Sequence, residues 1–456
     1  MAKARSREPA ALQKIRASKA EKVKVAITDV DGILRGKYLN KPKFESALEG
    51  GFGFCNVVFG WDAADVCYDN ASYTGWHTGY PDALVRLDLD TLREVPWDGG
   101  VPFLLGEFVD DQGAPLAVCP RQTLRRVIRR LGEAGYSALA AFEYEFFHFR
   151  ETPMTLAERG HQGPQPITPG MFGYSILRLN QSRDYVNALM DELRAFRVPI
   201  EGLHTETGPG VLEAAILYSD PLEAADRAVL FKSGSKEIAH RFGIMPSFMA
   251  KWNAALPGCS GHIHQSLWDA GLKKNLFFDS REKHGMSALF SHYIAGQLAC
   301  LPDLLPLYAP TINSYKRLVE GAWAPTKANW GLDNRTTALR AIPGSKKSTR
   351  IETRVNGSDS NPYLALAAAL ASGLYGIENE LSLGAPVTGS GYDDKKAPAL
   401  PSNLEDATRR FEKSPIAREL FGDEFVEHFA ATRHWEWRQF GRAVSDWEIS
   451  RYFEII

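Results

Sequence analysis

The sequence predicts an α+β protein of 456 residues, with room for two or three domains. Three observations carry that expectation. Residues 141–149, 259–266 and 350–354 alternate in side-chain character with a period of two, as strands do. Residues 121–135, 184–196, 221–242, 287–301 and 362–377 have the spacing of helices. Turn signals lie between them, among them Gly208-Pro209-Gly210 and Pro257-Gly258.

Taken in order, residues 1–20 read as a disordered, solvated basic tail without the apolar core of a signal peptide. Residues 22–37 read as strand, Asp-Gly turn, strand. The aromatic, glycine-rich stretches 51–68 and 73–80 either mark a binding edge or pack internally. A boundary near residues 113–120 separates an N-terminal domain, 21–113, from a larger one, 114–456. The helix at 121–135 sets Leu124, Val127, Ile128 and Leu131 on one face and arginines on the other, expected to be solvated, and ends at Gly135. Residues 151–172 are expected to form a loop and 247–252 a strand. A long polar connection spans 384–401, including a Tyr392-Asp393 surface loop, and the chain ends in helix carrying Trp435, Trp437 and Trp447.

The formal net charge of -2 and the absence of a basic stripe argue against nucleic-acid binding. No apolar run reaches the roughly 18 residues of a membrane span. The five cysteines, Cys55, Cys67, Cys119, Cys259 and Cys300, are odd in number and lack C-x-x-C spacing, which suits a reducing cytoplasm.

The chemistry is concentrated in four separated segments. In a strand, Glu143 and Glu145 share one face and Phe142, Tyr144 and Phe146 the other. Two carboxylates in so aromatic a run call for a neutralising cation. His262, His264 and Ser266 share a face, as do Arg350, Glu352 and Arg354, and the Gly-Pro-Gly turn brings Glu206 back towards Glu213. A paired Glu alone is more often a solvated edge. In combination, hard oxygen ligands without cysteine favour magnesium or manganese over zinc, and charges of both signs suit a cation-plus-phosphate site.

With residues 310–318 (Pro-Thr-Ile-Asn-Ser-Tyr-Lys-Arg-Leu), the Asn334-Arg335 pair, Arg340, and Asn361-Pro362-Tyr363-Leu364, the chain resembles the glutamine synthetase family from about Lys22 to its end. That resemblance implies a small N-terminal β-grasp domain and a catalytic domain whose antiparallel sheet forms a funnel surrounded by helices. It also implies a homododecamer of two stacked hexamers with shared active sites. It further implies ATP as co-substrate and two or more Mg2+ or Mn2+ ions per site. One ion would be held by Glu145, Glu206 and Glu213, the other by Glu143, His262 and Glu352. Tyr218 matches an aromatic packing on adenine, and His264, Ser266, Lys347 and Arg350 fall on the nucleotide side. Arg317 and Arg354 match residues clamping glutamate and the transferred phosphate, Arg335 and Arg340 match arginines on the ATP phosphates, and Gly258 matches a backbone site for the glutamate amino group.

One departure decides the expected substrate. Where the family has a glutamate that helps deprotonate ammonium, this chain has Trp323, which cannot accept a proton but can pack against an organic substituent. Glu320, three residues away, is the alternative base. Asp62 or Asp65, beside Trp61, either contacts the amine or caps a turn. The expectation is therefore an ATP-dependent ligase joining the γ-carboxylate of L-glutamate to an amine larger than ammonia, apolar or aromatic rather than polycationic. A glutamine synthetase using ammonia is the second reading. A non-catalytic structural relative is the third, and the complete ligand set argues against it.

Overall fold

The computed structural model describes residues 9–456. Two sheets organise them. The N-terminal sheet runs in the order Leu34–Asn40, Lys22–Thr28, Val101–Val109, Asp82–Leu87, Phe52–Cys55, with Arg93–Val95 paired to Val101–Val109. Its central pair is parallel, Val25 facing Leu104, and helix Lys41–Gly50 buries Phe44 and Ala47 against it. This is the β-grasp arrangement. Part of the expected tail belongs to it: residues 1–8 lie outside the described residues, but Ala10–Ala17 is a helix whose Ile15 sits in this core.

The second sheet has eight strands, ordered Trp330–Leu332, Leu339–Ile342, Arg350–Thr353, Gly261–Asp269, Tyr136–Phe149, Val211–Ile216, Ile200–Thr205, with Met245–Ser247 also paired to Tyr136–Phe149. Its neighbours are antiparallel except the first two, which are parallel. Phe142, Tyr144 and Phe146 are buried, the last two packing on Phe231 of helix Pro221–His240 and on Phe248. Because side chains alternate across a strand, this aromatic packing fixes which way Glu143 and Glu145 point. They face the hollow on the other side.

Two apolar helices, Ala288–Tyr308 and Pro362–Glu378, pack against each other without room for a side chain. A Cβ on Gly296 would lie 2.2 Å from the Ser372 carbonyl oxygen, and one on Gly376 2.1 Å from that of His292. The first helix runs seven residues beyond the expected 287–301, through Pro302 and Pro306. Proline does not stop it, because its packed surroundings hold the turns that lose a hydrogen bond.

The arginine face of helix Pro120–Glu133 is solvated only in part: Arg129 is exposed, as expected, but the start of the face is not. Arg121 is buried and paired with Asp226, Glu107 and Asp88, and Arg125 shares the last two. Spacing alone cannot distinguish a wet basic face from one facing carboxylates of another element. The expected strand at 247–252 is only Met245–Ser247, and the expected loop at 151–172 contains a short helix, Pro153–Glu158. The aromatic loops mostly pack: Phe59 and Tyr73 meet His428 edge-on, and Tyr68 meets Trp435. Trp76 is exposed. Tyr392 is tucked beneath the 323–324 loop, its hydroxyl donating to the Ala324 carbonyl at 3.2 Å. All five cysteines are free, and among the described residues no helix is long and apolar enough to cross a membrane.

Candidate active site

Strand register assembles the site. Glu143 lies opposite His262, Glu145 opposite Glu213, and Glu213 opposite His204. On the other flank, His264 lies opposite Glu352, and Glu352 opposite Arg340. These rows are spaced by two residues along Tyr136–Phe149 and Gly261–Asp269, so their side chains share one face. The hairpin joining Ile200–Thr205 to Val211–Ile216 closes with Glu206 N donating to the Val211 carbonyl at 3.2 Å. Gly210, at φ 71, supplies the left-handed turn. His204, Glu206 and Glu213 thereby place one ligand atom each within 4.8 Å of one another.

Burial pushes Glu213 up to about 11, reinforced by its hydrogen bond with Glu143 and the charges of Glu143, Glu145 and Glu206. Glu145 is raised by burial, although Ser260 N donates to it at 2.7 Å. Burial opposes the charge on Glu143, yet hydrogen bonds from His264, at 2.9 Å, and from Glu213 hold it well below the usual range. The acid cluster thus retains a proton that a divalent cation would displace. His262 is held at about 3 by burial and by the Arg354 charge, so it is neutral near pH 7. Its Nδ1 faces Glu352 at 3.3 Å and its buried Nε2 has no hydrogen-bond partner among the described residues. A neutral imidazole with a free nitrogen, beside carboxylates carrying excess negative charge, fits a hard divalent ion.

The arginines line the same hollow. Glu352 accepts from Arg340 at 2.7 Å and from Arg354, and despite burial the surrounding positive charge brings it to about 2. Arg317 is buried and donates to the carbonyls of Val355 and Arg354 and to the Ser260 hydroxyl, at 3.0, 2.9 and 3.1 Å. A Cβ on Gly258 would stand 2.8 Å from Arg317 Cγ, so the absence of a side chain there lets backbone and arginine meet. Arg354 Nε donates to the Arg335 carbonyl at 3.1 Å, while the Arg335 side chain is exposed. Arg350 Nε donates to His264 Nδ1 at 3.2 Å.

Other expected residues lie around or beyond this centre. Tyr218 is 56% exposed, and Lys347 is exposed in a serine-lined turn. Ser266 is buried, accepting from Trp268 Nε1 at 2.8 Å. Trp323 is 64% exposed, with φ 57, and its carbonyl lies 3.4 Å from an Arg354 guanidinium nitrogen. A bulky residue in the left-handed region is uncommon and costs on the order of 1–3 kcal/mol. Asp62 is not brought into the cluster. It caps its own turn, accepting from Ala64 N at 2.9 Å and Val66 N at 3.0 Å, and it accepts from Trp435 Nε1 at 3.0 Å.

Two residues escaped sequence reasoning. His204 shares the His-Thr-Glu alternation with Glu206, so the signal was present. Tyr174 had none: its ring stacks on His204 with centroids 4.4 Å apart, at φ 56, and Glu206, Glu213 and Arg335 all act on its hydroxyl. It stands at the mouth of the acid cluster.

Comparison with known proteins identifies the family. A family model described as the catalytic domain of glutamine synthetase matches residues 117–452. Type-1 glutamine synthetase 2 of Dictyostelium discoideum is 52% identical over 449 residues, covering 98% of this chain and 86% of that protein. Glutamate–isopropylamine ligase of a Pseudomonas species is 38% identical over 439 residues, 95% of each chain. The solved structure of a GmaS/ADP complex superposes with a TM-score of 0.84 at 27% identity, covering 97% of this chain and 98% of its own. The chain is therefore a ligase of the glutamine synthetase family, to which it belongs.

Proposed function

We propose that this ligase phosphorylates the γ-carboxylate of L-glutamate with ATP and transfers the γ-glutamyl group to an organic amine larger than ammonia. Glu145, Glu206 and Glu213, with His204 beside them, would hold one divalent ion, and Glu143, His262 and Glu352 another. Such ions supply charge neutralisation between nucleotide phosphates and carboxylate. Arg317 and the Gly258 backbone orient glutamate. Arg354 and Arg340, already fixed by Glu352, direct positive charge at the phosphate in flight. Attack by the amine on the acyl phosphate releases phosphate, and the site must exclude water until then.

The observation carrying the choice of amine is Trp323, an exposed indole tied through its carbonyl to Arg354. An indole receives apolar surface and takes no proton. The relative that acts on isopropylamine supports the same reading. Ammonia is the second reading, favoured by the 52% identical relative named a glutamine synthetase and by exposed Glu320 nearby. Exposed apolar residues at the end of the chain, Trp447, Phe453 and Ile455 among them, suit the homo-oligomer expected of the family. Glutamate-dependent phosphate release over a panel of alkylamines, arylamines and ammonium tests the proposal. Preference for an organic amine is expected, and stimulation by low ammonium alone overturns it.

A further inference from the structure

The rim of the carboxylate cluster carries one group that is not a carboxylate. His204 lies opposite Glu213 in its strand pair, and Glu206, two residues on, follows at the turn. One ligand atom from each comes within 4.8 Å of the others. Divalent ions bind nitrogen and oxygen at roughly 2.0–2.2 Å, so two ligands of one ion stand roughly 3–4 Å apart. The three atoms thus span about one coordination sphere. Glu145 stands outside this set, and Ser260 N already holds one of its oxygens at 2.7 Å.

The imidazole is oriented for a ligand's role. Its Nδ1 lies 3.1 Å from the Thr205 carbonyl oxygen, which can only accept, so in the neutral ring Nδ1 carries the proton and Nε2 the lone pair. Nε2 faces Glu213 Oε1 at 3.4 Å, longer than a good hydrogen bond and close to the spacing of neighbouring ligands on one ion. The Tyr174 ring lies on the imidazole with centroids 4.4 Å apart and 25° between the planes. That tyrosine is 71% exposed and has φ 56, so it gains little from burial while holding an uncommon backbone conformation. The Thr205 carbonyl also accepts from Tyr174 N at 2.6 Å, and the Thr205 hydroxyl donates to the Phe172 carbonyl at 2.9 Å and accepts from Ser175 N at 2.8 Å. One threonine therefore fixes both the imidazole and the ring laid against it.

We infer that His204 is itself a ligand, through Nε2, of the ion held with Glu206 and Glu213, and that it makes this position selective for Mn2+ and its first-row neighbours over Mg2+, a role that rests on the metal-dependent ligase reading proposed above. Mg2+ takes oxygen ligands and gives up water reluctantly, whereas an imidazole nitrogen suits first-row transition ions. A position built from carboxylates alone accepts either ion. Thr205 and Tyr174 are positioning residues here: they hold the ring that holds the ion, as hydrogen-bonded and packed neighbours of a ligating histidine do.

The test is Mn2+ binding to the full chain without nucleotide, followed by electron paramagnetic resonance, with Mg2+ affinity read by competition. Hyperfine coupling from a directly bound imidazole nitrogen is expected in His262→Gln, where the other ligand imidazole is gone, and should vanish when His204→Gln is added. His204→Gln alone should weaken one Mn2+ site at least about tenfold and change Mg2+ affinity less than about threefold, because glutamine offers an oxygen in place of the nitrogen. Tyr174→Ala should weaken the same Mn2+ site by about three- to tenfold, and Tyr174→Phe, which keeps the ring, should restore it. Absence of nitrogen coupling in His262→Gln, its persistence in the double variant, or an equal response of the two metals to His204→Gln overturns the assignment of His204. A phenylalanine variant as weak as the alanine one overturns that of the Tyr174 ring. Mn2+ bound through oxygen alone sinks the imidazole ligand and leaves the ligase reading standing; no Mn2+ binding by the wild type removes both.

Discussion

Replacing Glu213 by glutamine should stabilise the metal-free protein and at the same time abolish its response to metal. In the fold, Glu213 keeps its proton until about pH 11, against an ordinary value of 4.5. A group raised in this way contributes stability that is full below the unfolded value and is lost as pH climbs from 4.5 towards 11. At pH 7, holding that proton costs about 3 kcal/mol. The Coulomb cost gives the same order: two carboxylates about 5 Å apart repel by roughly 3 kcal/mol at an effective dielectric of 20. Glutamine has no proton to hold, and its amide can still donate to Glu143. Discounting for relaxation of the cluster leaves a gain of about 1–3 kcal/mol near pH 7 and about none at pH 4.5. With an unfolding entropy near 2 cal/mol/K per residue, that gain is a rise of roughly 1–3 °C in Tm for a chain of this length. The assay is thermal denaturation of wild type and Glu213→Gln, each in chelator and in Mg2+ or Mn2+. Metal should raise the wild-type Tm and leave the variant nearly unmoved, reversing their order. A metal-free variant less stable than wild type at pH 7, or an equal metal shift in both proteins, refutes the convergence of carboxylates on a cation.

Three further outcomes follow from the same geometry. Trp323→Glu places a proton acceptor on the loop held by Arg354; kcat/KM for ammonium should rise at least about tenfold and that for organic amines fall, read by phosphate release. Arg317→Lys keeps the charge but cannot reach two carbonyls and a hydroxyl together. Its glutamate KM should rise at least about tenfold and its stability fall by about 2–3 kcal/mol in urea titrations. His148 and His428 are both held at about 4, chiefly by burial, with the Arg433 charge adding to the second. Each stays neutral in the fold while the unfolded chain takes up a proton near 6.5, so stability present above pH 6.5 is lost as pH falls towards 4. The loss is on the order of 3 kcal/mol per histidine. His428→Phe, packed among Phe59 and Tyr73, should lose less when urea midpoints at pH 7 and 4.5 are compared.

Period-two alternation made Glu143, Glu145, His262, His264 and Glu352 legible, because a strand fixes which residues share a face and a hydrophobic reverse side fixes which face is free. Alternation says nothing about pairing between strands. The register joining Glu145 to Glu213 and His204, and Glu352 to Arg340, emerged only from the fold. Tyr174 reaches the site through a turn in which the Thr205 carbonyl accepts from its backbone amide at 2.6 Å, a contact between residues thirty-one apart with no local pattern. Arg121 misled for the opposite reason. Its helix was read correctly, but its partners Asp226, Glu107 and Asp88 belong to three other elements.

The glycine contact between Ala288–Tyr308 and Pro362–Glu378 makes those antiparallel helices a single slab, and at one end of it Asn361 holds the Asp29 and Val30 carbonyls while the chain beyond Tyr308 runs into the stretch that carries Arg317. A methyl group added at Gly296 or Gly376 touches no substrate, yet must wedge the slab apart and tilt what is mounted on its end. Loss of activity in a folded, metal-competent variant of this chain can therefore originate in a seam that no ligand ever meets.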